Sequence, residues 1–161
     1  MPTSNTRTNR MTATEQRVNV QIAVDDDDIP GSDDIVKWAA YALRLSGDEA
    51  EITVRVVGLE EGRLLNERWR GASGATNVLA FPVEGLDVEP GLLGDVVVCA
   101  PVANSEVVTD AMAADAHWAH LVIHGTLHLM GYTHERDVDA VKMEAAERTL
   151  LHELGYPDPY P

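Results

Sequence analysis

Three of the six histidines of this 161-residue chain lie in one stretch of eleven residues, HGTLHLMGYTH. They are His124, His128 and His134, and Gly131 separates the second from the third. Residues four apart lie on one face of a helix, so His124 and His128 can present two imidazoles to one metal ion. A glycine at position 131 can end that helix and turn the chain back, which would bring His134 to the same ion.

Three imidazoles predict a zinc site of the catalytic kind. Histidine nitrogens bind zinc at about 2.0–2.1 Å, and three protein ligands leave a fourth tetrahedral position open for water. Structural zinc sites are usually closed by four protein ligands. The alternative is a core helix with incidental histidines, which is disfavoured by three such offsets in a chain with six histidines. We expect one Zn²⁺ per chain, bound by His124, His128 and His134.

Two neighbours of the histidines refine this prediction. The spacing H-x-x-x-H-x-x-G-x-x-H is that of the metzincin proteases, whose second residue is a glutamate that acts as general base. This chain has Gly125 there, which cannot take a proton, so a metalloprotease-like hydrolase is the weaker alternative. His120 lies one turn before His124. We expect it to support a ligand or to pack, rather than to bind the metal.

The elements that must position these residues alternate between strands and helices. Period-two or continuous apolar patterns predict four strands, at residues 17–24, 51–57, 76–81 and 95–99. Helical patterns fall at residues 32–45, 59–69, 101–113, 117–130 and 137–154. This order predicts an α/β (α+β) fold with a mixed four-stranded sheet packed with about five helices. The metal site lies on a helix of the C-terminal half and the following turn.

Several details of these elements are also predicted. The strand at 95–99 is apolar throughout, which favours a central position in the sheet. Ser32 and Asp115 are candidate N-caps of the first and fourth helices. An acidic, glycine- and proline-containing loop is expected before residue 95. The last helix is expected to bury one apolar face, formed by Val138, Val141, Ala145, Leu150, Leu151 and Leu154.

Composition limits the classes of function. The formal net charge of −15 disfavours a general nucleic-acid-binding surface, since such binding depends on Lys and Arg meeting phosphates. The first fifteen residues lack the apolar core of a secretory signal, and no apolar run reaches membrane-spanning length. The single cysteine, Cys99, excludes an intramolecular disulfide and suits a reducing compartment. We expect a cytoplasmic protein with a flexible arm at residues 1–15 and a single domain at residues 16–161.

The histidine stretch and three further blocks resemble the YbeY endoribonuclease family, a widespread bacterial group. The family signature reads H-G-x-L-H-L-x-G-Y-D-H. Residues 65–70 resemble its L-N-x-x-[YW]-R block, residues 76–82 its T-[DN]-V-L-S-F-P block, and residues 92–96 its L-L-G-D-I segment. The blocks keep the family's order and cover most of residues 60–136. The ending at residues 154–160 also resembles some members.

This resemblance implies a zinc-dependent endoribonuclease that prefers single-stranded RNA. It implies a role in ribosomal RNA maturation, notably at the 3′ end of the small-subunit (16S) RNA, and in ribosome quality control. The family's zinc ligands carry over to His124, His128 and His134, and its functional arginine to Arg70. We expect Arg70 and His124 to be catalytic. The implied partners are ribosomal RNA and ribosome or small-subunit proteins, with neither DNA nor a membrane.

The chain departs from the family motifs at two positions. Thr133 replaces the aspartate before the third histidine, and Ala80 replaces the serine of the L-S-F block. If that aspartate orients a ligand, its role is vacant or falls to Glu135 or Asp137. Asp95 is either an acceptor for a ligand histidine, a structural carboxylate or a turn residue.

A rival from another class is a ribosome-assembly factor with a structural zinc and little nuclease activity. The net charge of −15 favours this rival, since free RNA should bind poorly to such a chain. A structural zinc predicts that histidine variants unfold. A catalytic zinc predicts variants that are folded but inactive.

Overall fold

The computed structural model describes residues 11–47, 49–84, 91–107 and 111–161. Its sheet has four strands in the order β1-β2-β4-β3. They are β1 (Val18–Ala23), β2 (Glu51–Val57), β3 (Val78–Pro82) and β4 (Leu92–Cys99). β1, β2 and β4 run parallel, and β3 pairs antiparallel with β4. The predicted mixed sheet is confirmed, and β4 is an interior strand as expected.

Five α-helices pack with this sheet in the described part of the chain. They are α1 (Ser32–Leu43), α2 (Leu59–Arg70), α3 (Ala100–Ser105), α4 (Ala111–Leu129) and α5 (Asp137–Glu153). Short 3₁₀ turns cover Glu15–Arg17 and Arg44–Ser46. The histidine stretch occupies the end of α4 and the turn after it, where the sequence predicts it.

The two faces of the sheet carry different helices. Val96 and Val98 of β4 belong to the main core with residues of α1 and α4. Val97 and Cys99 point to the opposite face and pack with Leu65 of α2. Successive side chains of a strand alternate between faces, so α2 and the histidine helix α4 lie on opposite sides of the sheet. β3 forms the edge between them.

The helix predicted at 101–113 is present but shorter, and the predicted cap at Asp115 is wrong. α3 ends at Ser105, and α4 has already begun at Ala111, so Asp115 lies inside a helix. Alanine has the strongest helix propensity, and the run AMAA at residues 111–114 carries α4 through positions where a cap was expected. The histidine helix therefore has 19 residues.

Other boundaries differ by a few residues. The N-cap of α1 is Gly31, and Ser32 is its first helical residue, so the predicted serine cap is wrong. Asp33 and Asp34 in the first turn favour this helix end through the helix dipole. β3 includes Pro82 as its last residue, which an edge strand tolerates. β4 begins at Leu92 rather than at 95.

The buried face of α5 also differs from the prediction. Val138 and Val141 are 52% and 67% exposed. The residues that are buried are Met143, Glu147, Leu150 and Leu151. They follow the i, i+4, i+7, i+8 spacing of one helix face, which therefore contains a glutamate.

Two further expectations concern the arm and the loop before β4. Residues 1–10 of the predicted arm and residues 85–90 of the loop lie outside the described residues. Thr12 and Glu15 exchange side-chain-to-backbone hydrogen bonds of 2.8 and 3.0 Å. The division into an arm and one domain stays a prediction. No helix in the described part of the chain is long and apolar enough to span a membrane.

Candidate metal centre

The three predicted ligands converge. Nε2 of His128 lies 3.1 Å from Nε2 of His124 and 3.2 Å from Nε2 of His134. Zinc–nitrogen bonds of about 2.0–2.1 Å at tetrahedral angles separate two ligand nitrogens by about 3.3 Å. One imidazole nitrogen either donates or accepts a hydrogen bond in the ring plane, so Nε2 of His128 cannot satisfy both contacts with protons. A single cation satisfies all three nitrogens, and the donor set therefore fits zinc.

The turn after α4 positions the third histidine. Tyr132 N–H donates to the carbonyl of Leu127 at 3.1 Å, and Gly131 N–H donates to that of His128, also at 3.1 Å. This is the Schellman arrangement, which needs a left-handed residue at the position after the cap. Gly131 has φ +101°, which a side chain would strain. The predicted role of Gly131 is confirmed.

Gly125 has a packing role that the sequence does not reveal. A Cβ built at this position would lie 2.5 Å from Cγ1 of Val96 and 3.3 Å from Cγ2 of Val78. The residue after His124 therefore carries no side chain because α4 packs its backbone closely against β4 and β3. The general base of a metzincin would not fit here, which explains in steric terms why the protease pattern is incomplete.

A buried carboxylate contacts the first predicted ligand, His124. Glu147 of α5 is 1% exposed. Its Oε2 lies 3.3 Å from Nδ1 of His124 and accepts a short hydrogen bond from Nε2 of His120. A carboxylate can only accept, so Nδ1 of His124 carries the proton and Nε2 keeps its lone pair for a metal. This is the carboxylate–histidine–metal arrangement common at zinc sites.

The charge states around this carboxylate are those that metal binding requires. Burial alone raises the pKa of Glu147, but hydrogen bonds and charge interactions with His120 and His124 outweigh it and lower the pKa to about 2. Burial, together with His124 and His134 nearby, lowers the pKa of His128 to about 4. At neutral pH Glu147 is ionised and His128 is neutral, so each is in its metal-supporting form.

Sequence reasoning missed Glu147. A signal was present, because Glu147 falls at helical spacing between Met143 and Leu150 on a face that must be apolar. A carboxylate in such a stripe needs a charged or hydrogen-bonding partner. The residues that were considered for its role, Glu135, Asp137 and Asp95, are all exposed. His120 contacts the carboxylate, as expected for a supporting residue, and a second three-donor group joins it with His124 and Glu147.

Arg70 lies on α2 and is not part of the histidine cluster. It is the exposed last residue of α2, which ends at the left-handed Gly71. The following loop is fixed by Asn66, whose buried amide donates to the carbonyl of Gly74 at 2.8 Å. Among the described residues, the side chain of Arg70 has no hydrogen-bond or ion-pair partner. The N–H donors of its guanidinium are therefore available to a ligand.

The fold and the site together define a class. This is an α/β protein with a candidate three-histidine metal centre on one helix and the turn after it, supported by a buried carboxylate from the next helix. A family model described as Endoribonuclease YbeY matches residues 11–155.

Individual relatives agree with this match. A Stutzerimonas stutzeri protein named Endoribonuclease YbeY is 51% identical over 133 residues, which cover 81% of this chain and 83% of the relative. A Nitrosococcus oceani protein of the same name is 46% identical over 148 residues, 89% of this chain and 95% of the relative. The solution structure of TM1509 from Thermotoga maritima matches with a TM-score of 0.52 and 26% identity, over 84% of this chain and 88% of that one.

The chain belongs to the YbeY endoribonuclease family. The resemblance drawn from the sequence motifs is thereby confirmed. By family, the protein is an endoribonuclease.

Proposed function

We propose that the chain is a zinc-dependent endoribonuclease that prefers single-stranded RNA. It acts in ribosomal RNA maturation, notably at the 3′ end of the small-subunit RNA, and in ribosome quality control in the cytoplasm. The observation that carries this proposal is the convergence of three Nε2 atoms at 3.1 and 3.2 Å, at the spacing of zinc ligands. Family membership supports RNA as the substrate. Ribosome or small-subunit proteins are the partners we expect.

The residues divide the chemistry between them. Cleavage of a phosphodiester bond builds negative charge on the phosphoryl oxygens. Zinc held by the three histidines would supply Lewis-acid activation of water or of a phosphoryl oxygen. His124 is held in the required orientation by Glu147, at 3.3 Å. The guanidinium of Arg70 offers planar N–H donors that suit a phosphate, and it is exposed to meet one.

Preference for single strands is supported by an exposed aromatic ring next to Arg70. Trp69 is 63% exposed, and the guanidinium of Arg68 lies 5.5 Å from its ring centroid. Unpaired bases stack on aromatic and guanidinium planes, whereas bases in a duplex are already stacked and paired. We propose that one base of the substrate stacks on Trp69.

Edge strand β3 links this ring to the histidine helix. The ring of Trp69 packs edge-on against Phe81 with centroids 6.4 Å apart. On the other face of the strand, Val78 faces Gly125, the neighbour of His124. An RNA strand that meets both Trp69 and the metal centre would therefore cross the β3 edge of the sheet.

Metal content and RNA cleavage, measured on matched variants, test this proposal. We expect one equivalent of zinc in the wild type and Arg70→Ala, and none in His128→Ala. Cleavage of a labelled single-stranded RNA should fall about 100-fold or more in both variants, as when a group that stabilises transition-state charge is removed. His152→Ala and Arg44→Ala are the controls, since both residues are exposed. They should keep zinc and activity.

Three outcomes would contradict the proposal. Equal trace cleavage in all five proteins would indicate a contaminating nuclease and favour the assembly factor. Full activity of Arg70→Ala would remove that arginine from the mechanism. Absence of zinc from the wild type, even after incubation with Zn²⁺, would overturn the metal centre.

The rival assembly factor with a structural zinc is favoured by the net charge of −15. Removal of zinc with a chelator distinguishes a catalytic zinc from a structural zinc. The main core that joins the sheet to α1, α4 and α5 is built from apolar side chains, whereas His124 and His128 are half-buried and His134 is exposed. A catalytic zinc therefore predicts that the chelated protein keeps its circular dichroism spectrum and cooperative urea unfolding. Unfolding on chelation would favour the structural zinc.

A further inference from the structure

The segment that follows α5 folds back along that helix. Tyr156 N–H donates to the carbonyl of Leu151 at 2.9 Å, which reverses the chain at Gly155. Arg148 on α5 then donates to the carboxylate of Asp158 at 3.1 and 3.2 Å. The sequence from Tyr156 to Pro161 is YPDPYP, and its three prolines limit the backbone freedom that is lost on docking.

This return delivers a hydroxyl to the carboxylate that orients the metal ligand. The hydroxyl of Tyr160 donates to Oε1 of Glu147 at 2.9 Å. The other oxygen, Oε2, faces His120 and His124. The ring of Tyr160 also packs edge-on against His120, with centroids 5.4 Å apart. The two carboxylate oxygens therefore have different donors, and these are linked, since the Tyr160 hydroxyl lies 3.2 Å from Nε2 of His120.

We propose that Tyr160 is a positioning residue for the metal centre. By holding Oε1, it fixes the rotation of the Glu147 carboxylate, so that Oε2 stays aimed at Nδ1 of His124 and Nε2 of His124 stays aimed at the metal. Tyr160 lies beyond residues 11–155, the part of the chain that the family model matches. The inference rests on the proposed zinc centre and adds a residue to it.

The contacts explain why the hydroxyl matters. Without it, Oε1 of Glu147 loses its donor inside a site where the residue is 1% exposed. A buried carboxylate oxygen without a donor is costly. The carboxylate could rotate to bring Oε1 towards the histidine donors, but this rotation would move Oε2 away from His124. Loss of outer contacts of this kind weakens metal binding about 10- to 100-fold. Tyr160 would affect the metal only through Glu147 and His124, so we expect a loss of affinity at the low end of that range.

Zinc affinity of Tyr160→Phe tests the inference. The zinc dissociation constant, measured by competition with a chromophoric chelator, should rise about tenfold. The visible spectrum of the Co²⁺-substituted variant should also change, since the geometry of His124 at the ion changes. Tyr156→Phe is the matched control, because Tyr156 lies in the same segment and packs on Trp38, away from Glu147. It should keep the wild-type affinity and spectrum.

The outcomes are distinct from those that test the proposed function. If the wild type binds zinc and Tyr160→Phe binds it equally well with an unchanged Co²⁺ spectrum, Tyr160 only stabilises the fold and this inference alone fails. If the wild type binds no zinc, both fail. Two equivalents of zinc per wild-type chain would put an ion among His120, His124 and Glu147, and would overturn the hydrogen-bonded role of Tyr160.

Discussion

At the scale of single residues, the proposed metal centre is supported by a carboxylate that is not itself one of the three proposed ligands. Glu147 accepts hydrogen bonds from two histidines and a tyrosine while it is almost fully buried. Such a carboxylate sets the tautomer and the ring orientation of the ligand it faces. The affinity of the site should therefore depend on Glu147 as well as on the three ligands.

Glu147→Gln should weaken zinc binding about 10- to 100-fold, since the amide NH2 cannot accept a hydrogen bond and the charge of the acceptor is lost. Chelator competition measures the effect, with circular dichroism to verify the fold. Glu135→Gln is the control, because Glu135 is exposed and was considered for this role from sequence. An unchanged affinity in a folded Glu147→Gln variant would refute the orienting role.

A second prediction at this scale concerns Gly125. Gly125→Ala should destabilise the protein by about 1–3 kcal/mol, because the new Cβ would lie 2.5 Å from Cγ1 of Val96. Val96→Ala removes that atom, so the double variant should lose less stability than the two single variants combined. Urea unfolding of the four proteins measures this coupling. Additive losses would mean that Gly125 is not required by close packing.

The sequence predicts the convergence of the three histidines better than it predicts the residues that contact them. His124, His128 and His134 lie within one helix and one turn, so local geometry is sufficient to bring them together. Glu147 and Tyr160 reach the site only through the packing of α5 on α4 and the return of the following segment. These are tertiary contacts, which the spacing of residues along the sequence cannot predict. The charged residue within an apolar helix face was the available signal.

At the scale of elements, the geometry of the centre depends on where α4 stops. Its end is fixed by hydrogen bonds to the carbonyls of Leu127 and His128, with Gly131 at φ +101°. The start of α4 was predicted wrongly, at a capping aspartate, whereas its end was predicted correctly. A glycine in a left-handed turn is a stronger constraint than one polar side chain in a run of alanines.

Gly131→Ala should destabilise the protein by about 1–2 kcal/mol and also weaken zinc binding, because strain in the turn displaces His134. Gly47→Ala is a matched control, since Gly47 has φ +93° and open space around it but lies far along the chain from the ligands. It should lose at least as much stability, since Gly47 has φ +93° and ψ 179°, and should keep its zinc affinity. Unfolding and chelator competition on both variants provide the comparison. Equal zinc affinity in both would show that the turn does not position His134.

At the scale of the whole molecule, the protein carries a net charge of −15, yet as an endoribonuclease it must bind RNA, which is a polyanion. Electrostatic attraction alone would be weak and would fall further with salt. The exposed Trp69 next to Arg68 and Arg70 offers a different source of affinity, because stacking does not depend on net charge. Composition predicts weak electrostatic attraction to RNA, and we propose that the exposed ring on α2 compensates for it.

Trp69→Ala should weaken binding of a single-stranded oligoribonucleotide by about 1–3 kcal/mol, and this difference should persist as salt is raised. Leu64→Ala is the control, since Leu64 is 51% exposed on the same helix but offers no ring. Fluorescence anisotropy of a labelled RNA at several salt concentrations measures both. A Trp69→Ala effect no larger than that of Leu64→Ala would exclude stacking at this position.

The three ligand histidines are neighbours along the chain as well as in space, and this affects the unfolded protein. His124 to His134 spans eleven residues, whereas strand pairing such as Val54 with Val96 joins residues more than forty apart. Closing so short a loop around an ion costs little entropy, so we expect the denatured chain to retain some affinity for zinc. Zinc binding to the denatured chain offsets part of the stabilisation that zinc gives to the native protein. Excess zinc should therefore raise the melting temperature by less than the affinity of the native site implies.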